Sequence, residues 1–138
     1  MQIRVPTRQD EKKINDFILG ILKDNVPTPI SNIEQSFYAK NGAIFTAEEN
    51  GEVEGLIAAC PKNDETLSVN YYLVNENSRK YNSQMINIVI NFARRLYYKT
   101  IEVDLVYKMP DDLFNSIKDD FLNNNFTISK PGLLVHIL

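Results

Sequence analysis

The stretch from Leu67 to Ile90 does most to limit the fold. An apolar strand, Leu67-Ser-Val-Asn-Tyr-Tyr-Leu-Val74, runs through a polar segment, Asn75 to Asn82, into a helix from about Asn82 to Tyr98. Thr100 to Tyr107 then alternates Ile101, Val103 and Leu105 against Glu102 and Asp104, the pattern of a half-buried strand. A strand, a helix and a strand in succession predict a parallel crossover, right-handed by the usual rule. The helix carries Met85, Ile86, Ile88, Val89, Ile90, Phe92, Ala93 and Leu96. It is apolar over most of its circumference, so it must lie against a sheet and be covered further.

The rest of the chain builds outward from this unit. Gln2 to Val5 reads as a short first strand, and Thr7-Arg-Gln-Asp10 has the spacing of a capping box. Behind it Ile14, Phe17, Ile18, Ile21 and Leu22 form one face of an amphipathic helix. Val26-Pro-Thr-Pro-Ile30 ends that helix, and Ser31-Asn-Ile-Glu34 opens a shorter one to about Lys40. Strands at 43–48 and 53–60 flank Asn50-Gly51, a hairpin signal because both turn positions favour positive φ. Pro110-Asp-Asp112 begins another helix with Leu113, Ile117 and Phe121 as its stripe. Strands at 126–129 and 133–138 close the chain around Pro131-Gly132. The order β-α-α-β-β-β-α-β-α-β-β predicts a mixed sheet with helices on both faces, in the α/β (α+β) class.

With 138 residues, 43% of them hydrophobic and 24% charged, the chain reads as one globular domain spanning 1–138. A net charge of −3 without a basic stripe argues against a nucleic-acid partner. The apolar runs fall short of a membrane span, and Met1-Gln-Ile-Arg-Val has no apolar signal region, so the cytoplasm is the expected compartment. One cysteine, Cys60, and one histidine, His136, give no internal disulfide and no metal site to expect.

The segment before the 82–98 helix carries Arg79 and Lys80. A helix N-terminus with basic residues beside it favours an anion, through its amide N–H groups and its dipole. The segment has no glycine, which limits how closely a phosphate can approach the backbone.

Several residues match a known pattern. Gly51-Glu-Val-Glu-Gly55-Leu-Ile-Ala-Ala59 places a glycine before apolar residues on the third strand; Leu73-Val74 ends the next strand as an apolar pair; Asn125-Phe126 precedes two closing strands. With the element order, these make the chain resemble the GNAT-type N-acetyltransferases over essentially its whole length. The resemblance implies an acetyl-CoA donor and direct transfer to a small-molecule or peptide amine. It implies that backbone groups of Leu73 and Val74 hold the pantetheine. It also implies that the loop Arg79, Lys80, Tyr81, Asn82, Ser83 and Gln84 holds the pyrophosphate. Read from Arg79, Asn82 and Gln84 stand where the family has two small residues. Read by the helix phase, Asn77 takes the basic position, and Lys80 and Asn82 the small ones. Phe121 stands where the family often has a tyrosine acid, and Phe114, with Asn115 beside it, where an asparagine commonly meets the cofactor. Phe37 and Tyr38, with the Val26–Ile30 loop, fall where the family shapes its acceptor site.

Each candidate has an ordinary alternative. Tyr72 can act as a general acid and Glu76 as a general base, but a core tyrosine and an exposed loop acid are the commoner roles. Glu102 and Asp104 share a strand face, where solvation is the simpler reading. His136 reads as structural, and Cys60 as a small buried hydrophobe. The exposed apolar strands near the C-terminus allow a homodimer. Two rivals stand beside the acetyltransferase: a catalytically inactive GNAT-like domain that binds a ligand or a protein, and an unrelated α/β domain.

Overall fold

The structure, a computed structural model, describes residues 2–22, 41–105, 109–130 and 133–138. The predicted helix from Ser31, with Phe37 and Tyr38, lies outside the described residues. The strands are β1 (Gln2–Arg4), β2 (Ala43–Glu49), β3 (Glu52–Pro61), β4 (Thr66–Val74), β5 (Thr100–Val103), β6 (Thr127–Lys130) and β7 (Leu133–Ile137). The α-helices are α1 (Glu11–Leu22), α2 (Asn82–Arg95) and α3 (Asp111–Leu122). The sheet runs β1-β2-β3-β4-β5-β7-β6. Among the described residues only β4 and β5 are parallel; every other neighbouring pair is antiparallel. The expected mixed sheet and parallel crossover are both present. No helix among the described residues is long and apolar enough to cross a membrane.

Two cores sit on the two faces. On one, Ile14, Ile18 and Leu22 of α1 pack against Ile44, Leu56, Ala58, Tyr71 and Leu73. Each of the three α1 side chains is at most 1% exposed, and burying each contributes about 1.5–3 kcal/mol. On the other face α2 and α3 cover Ile57, Ala59, Leu67, Val69, Tyr72, Ile101 and Val103. A β-bulge interrupts β4. Its register against β3 moves from Ala58↔Tyr71 to Ala59↔Val69, leaving Asn70 as the extra residue. The bulge shifts the strand's alternation, so Val69 and Tyr72 share the α2–α3 face while Tyr71 and Leu73 face α1. Both tyrosines are buried, one in each core.

The turns follow their chemistry. Asn50 and Gly51 have φ of 54° and 80°, as the β2–β3 hairpin requires. Helix α2 ends earlier than the predicted Tyr98. The Tyr97 N–H donates to the Arg94 carbonyl and the Tyr98 N–H to the Ala93 carbonyl, the two bonds of a Schellman cap. Tyr97 holds the left-handed position of that cap, with φ 62°, and is 88% exposed. At the first edge, the Arg4 guanidinium bonds both Asp10 oxygens at 2.9 and 3.0 Å and pairs with Glu48, joining β1 to β2. The Thr7 N–H also donates to Asp10 at 2.8 Å, as the capping box predicts.

Two outcomes are expected. Tyr97→Gly should raise stability by about 1 kcal/mol, because glycine occupies left-handed backbone without the Cβ clash; chemical denaturation at neutral pH measures it. Arg4 and the Thr7 amide hold the Asp10 carboxyl well below the usual carboxylate range. A carboxyl depressed on folding stabilises above its unfolded pKa, near 4, and that stability is lost as pH falls towards its folded value. Denaturation midpoints at about pH 7 and about pH 3 should therefore drop more in the wild type than in Asp10→Asn. An equal drop in both would show that this pair carries no acid sensitivity.

Candidate functional site

The ladder between β4 and β5 holds only four pairs, from Thr66↔Thr100 to Val69↔Val103. The Asp104 N–H donates to the Val69 carbonyl at 2.8 Å, and there the two strands part. The sequence placed this divergence near Val74; among the described residues pairing ends at Val69, and Asp104 and Leu105 do not continue the β5 strand. The Asn75 N–H donates to the Glu54 carbonyl at 2.9 Å, which fixes the phase of the strand. Alternation then turns the amide of Leu73 towards β3 and those of Tyr72 and Val74 towards the opening. Leu105, Met109 and Leu113 pack against both cores at once. Side chains can do so only where the sheet is open, so these three sit at the fork.

Beyond Val74 the chain forms a 3-10 turn, Glu76–Tyr81, that runs directly into α2. Carboxylates pin it from two sides. Glu54 of β3 accepts from the Asn75 side-chain amide at 2.7 Å and the Ser78 hydroxyl at 3.5 Å. Asp120 of α3 is 3% exposed and accepts three donors. They are the Tyr72 hydroxyl at 2.8 Å, the Arg79 guanidinium at 2.5 Å and the Asn82 side-chain amide at 2.8 Å. The same Arg79 nitrogen also donates to the Ser116 carbonyl at 3.1 Å.

The candidates therefore fall into three groups. Arg79 and Asn82 come together, but on Asp120. Lys80, Ser83 and Gln84 are exposed, with the Lys80 ammonium 5.1 Å from the centre of the half-buried Tyr81 ring. The Asn82 N–H donates to the Arg79 carbonyl, so the start of α2 is bonded into the turn before it. Tyr72 is 1% exposed and its hydroxyl is given to Asp120, while Glu76 is an exposed acid at the start of the turn. Phe121 is fully buried and meets the Tyr72 ring edge-on at 4.9 Å, two residues from the end of β4. Phe126 meets Phe121 edge-on at 5.0 Å, and Asn125 before it adopts φ 72°, a conformation that suits glycine and that asparagine tolerates. His136 is a structural side chain: its ring lies against Phe126, and its Nδ1 donates to the Asn125 carbonyl at 2.9 Å.

Asp120 and Glu54 were missed in the sequence. Asp120 reads there as one more polar residue on an amphipathic helix, and its partners lie 38 to 48 positions away. On the β5 side of the fork is a cavity of about 440 Å³, lined chiefly by Val103, Leu105, Met109, Phe114, Ile117 and Leu134. Its volume is in the range of small-molecule sites.

Tyr72→Phe removes one donor from the buried Asp120 carboxylate. It should destabilise the protein by about 1–3 kcal/mol, because an unsatisfied buried acceptor costs more than the bond itself contributes. Urea denaturation of the two proteins measures the difference.

No protein-family model and no curated protein matches the chain. Solved structures do. An acetyltransferase of the GNAT family from Staphylococcus aureus Mu50 superposes with a TM-score of 0.83 at 18% identity, over 99% of this chain and 98% of that one. An aminoglycoside 6'-acetyltransferase type Ii superposes at 0.72 and 14% identity, over 99% and 97%. A GNAT family acetyltransferase from Elizabethkingia anophelis, crystallised with acetyl-CoA bound, superposes at 0.64 and 17% identity, over 99% and 97%. At such identities the likeness is one of fold, and in fold this chain is similar to the GNAT-family acetyltransferases over nearly its whole length.

Proposed function

We propose that this protein is an acetyl-CoA-dependent N-acetyltransferase that passes the acetyl group directly to the amine of a small molecule or peptide. The observation that carries the reading is the fork. Among the described residues, a parallel pair that ends after four residues leaves the far part of β4 unpaired beside a crossover helix, and a structure with acetyl-CoA bound shares this fold. The residues fit the donor unevenly. The amides of Tyr72 and Val74 suit the amide-bearing pantetheine arm, which can extend along β4 as a strand would. The turn at Arg79–Gln84 offers Lys80 and backbone to the pyrophosphate, without the close approach that glycine allows.

When bound, the donor supplies a thioester whose carbonyl carbon is the electrophile. The chain's part would be to hold that carbonyl beside β4, where an outward-turned amide would stabilise charge developing on its oxygen. It must also align an unprotonated amine with the carbon. Tyr72 supplies no proton in this reading, because its hydroxyl is committed to a buried carboxylate. Phe37 and Tyr38 remain the proposed acceptor contacts.

The second reading, an inactive GNAT-like domain that binds a ligand or a protein, draws on a specific observation. Phe121 has no proton to give, and the Arg79 guanidinium is held by Asp120. One pair of measurements separates the readings. Acetyl-CoA at 100 times its dissociation constant should raise the unfolding free energy by about 2.7 kcal/mol, read as a shift in Tm. The acetyltransferase also releases free CoA thiol when offered a panel of primary amines. A shift without thiol release establishes the binding domain, and no shift at all removes acyl-CoA from both readings.

A further inference from the structure

We propose that Asp120 is the positioning residue of the phosphate-binding turn, and that Arg79 belongs to Asp120 while Lys80 alone meets the ligand's phosphates. The assignment rests on the acyl-CoA reading above for its ligand, but its geometry is seen without one. Three elements converge on one carboxylate: β4 through Tyr72, the 3-10 turn through Arg79, and the first residue of α2 through Asn82. Asp120 thereby fixes the turn relative to both the strand before it and the helix after it.

The balance of interactions decides which cation is available. Asp120 is buried and charged, with the Arg79 guanidinium as its ion-pair partner and neutral donors from Tyr72 and Asn82. Moving Arg79 onto an exposed phosphate would leave that carboxylate without its counter-charge. Uncompensated buried charge costs much more than a solvent-screened ion pair gains. The Ser116 carbonyl holds the same nitrogen and adds to the cost. Lys80 is one residue on, exposed, and its side chain reaches along Tyr81 and not into the protein. A sequence comparison that assigns the phosphate to the arginine of this turn therefore picks the wrong cation.

Two measurements test this. The first needs no ligand: hydrogen exchange of the amides at 76–84 in the free protein. Asp120→Asn and Asn82→Ala should both speed exchange there beyond any change in the β3–β4 core. Asn82→Ala keeps the buried ion pair and serves if Asp120→Asn does not fold. Exchange in the turn as slow as in the wild type overturns the positioning role. The second is calorimetry with acetyl-CoA at low and high salt. Arg79→Gln should bind about tenfold more weakly, through a displaced turn, yet keep the wild-type salt dependence. Lys80→Gln should lose most of that salt dependence, since screening acts on exposed pairs. Loss of salt dependence in Arg79→Gln and its retention in Lys80→Gln would overturn the assignment of the phosphate to Lys80. If the wild type binds no acetyl-CoA, the acyl-CoA reading fails with this choice of cation, and the exchange arm still decides whether Asp120 fixes the turn.

Discussion

The early end of the β4–β5 ladder governs the rest of the site. After Val69 and Val103, β4 continues to Val74 with no strand partner on that side among the described residues. Backbone amides left this way must find water, a ligand or side-chain cover. The sheet keeps the fork from collapsing because β4 is held on its other edge by a long antiparallel pairing with β3, interrupted only at the Asn70 bulge. The bulge increases local twist and bends the strand, which helps β4 leave β5. Leu105, Met109 and Leu113 then join the two cores through the gap. The fork is therefore a structural junction as well as an opening: the side chains that bridge the cores also limit what can enter.

Carboxylates organise the turn beyond the fork where glycine is missing. A glycine-rich loop takes its shape from backbone freedom. Here the segment is a 3-10 turn whose shape comes from side chains anchored at Glu54 and Asp120. Such a turn is defined before any ligand arrives, but side chains occupy the space that bare backbone would leave. Asn82 shows the exchange plainly, since its amide group is spent on Asp120.

Much of the fold was legible because it is written in local patterns. Asn50-Gly51 announces its hairpin, Thr7 to Asp10 its cap, and Ile14, Ile18 and Leu22 their buried face. The crossover followed from a strand, a long apolar helix and a second strand in succession. The Asn70 bulge left no mark, since neither glycine nor a break in apolar spacing signals it. Tyr72, weighed as a general acid against the commoner core role, is a core residue, as is Tyr71 beside it. The carboxylate at Asp120 was illegible for a different reason. Its meaning depends on β4, the turn and α2 arriving at one point in space, which no local pattern encodes. Two of the residues that reach it, Arg79 and Asn82, were singled out for a ligand because position along the chain shows where a side chain starts and not where it ends.

In the proposed transfer, a phenylalanine at position 121, with no proton to give, bears on rate more than on whether the reaction can occur. A thiol of ordinary acidity has a pKa near 8.5, so releasing it as thiolate at pH 7 costs about 2 kcal/mol relative to releasing it protonated. That is a factor of some tens, small against the roughly 7–11 kcal/mol that alignment in a bound complex can remove from the barrier. Tyr72 would be a poor remedy, because a phenolate formed beside the buried Asp120 would place two negative charges together. The same hydroxyl does more as a donor that keeps Asp120 satisfied. The arrangement thus favours a site whose function rests on holding and orienting its ligand, with side-chain acid–base chemistry reduced to little.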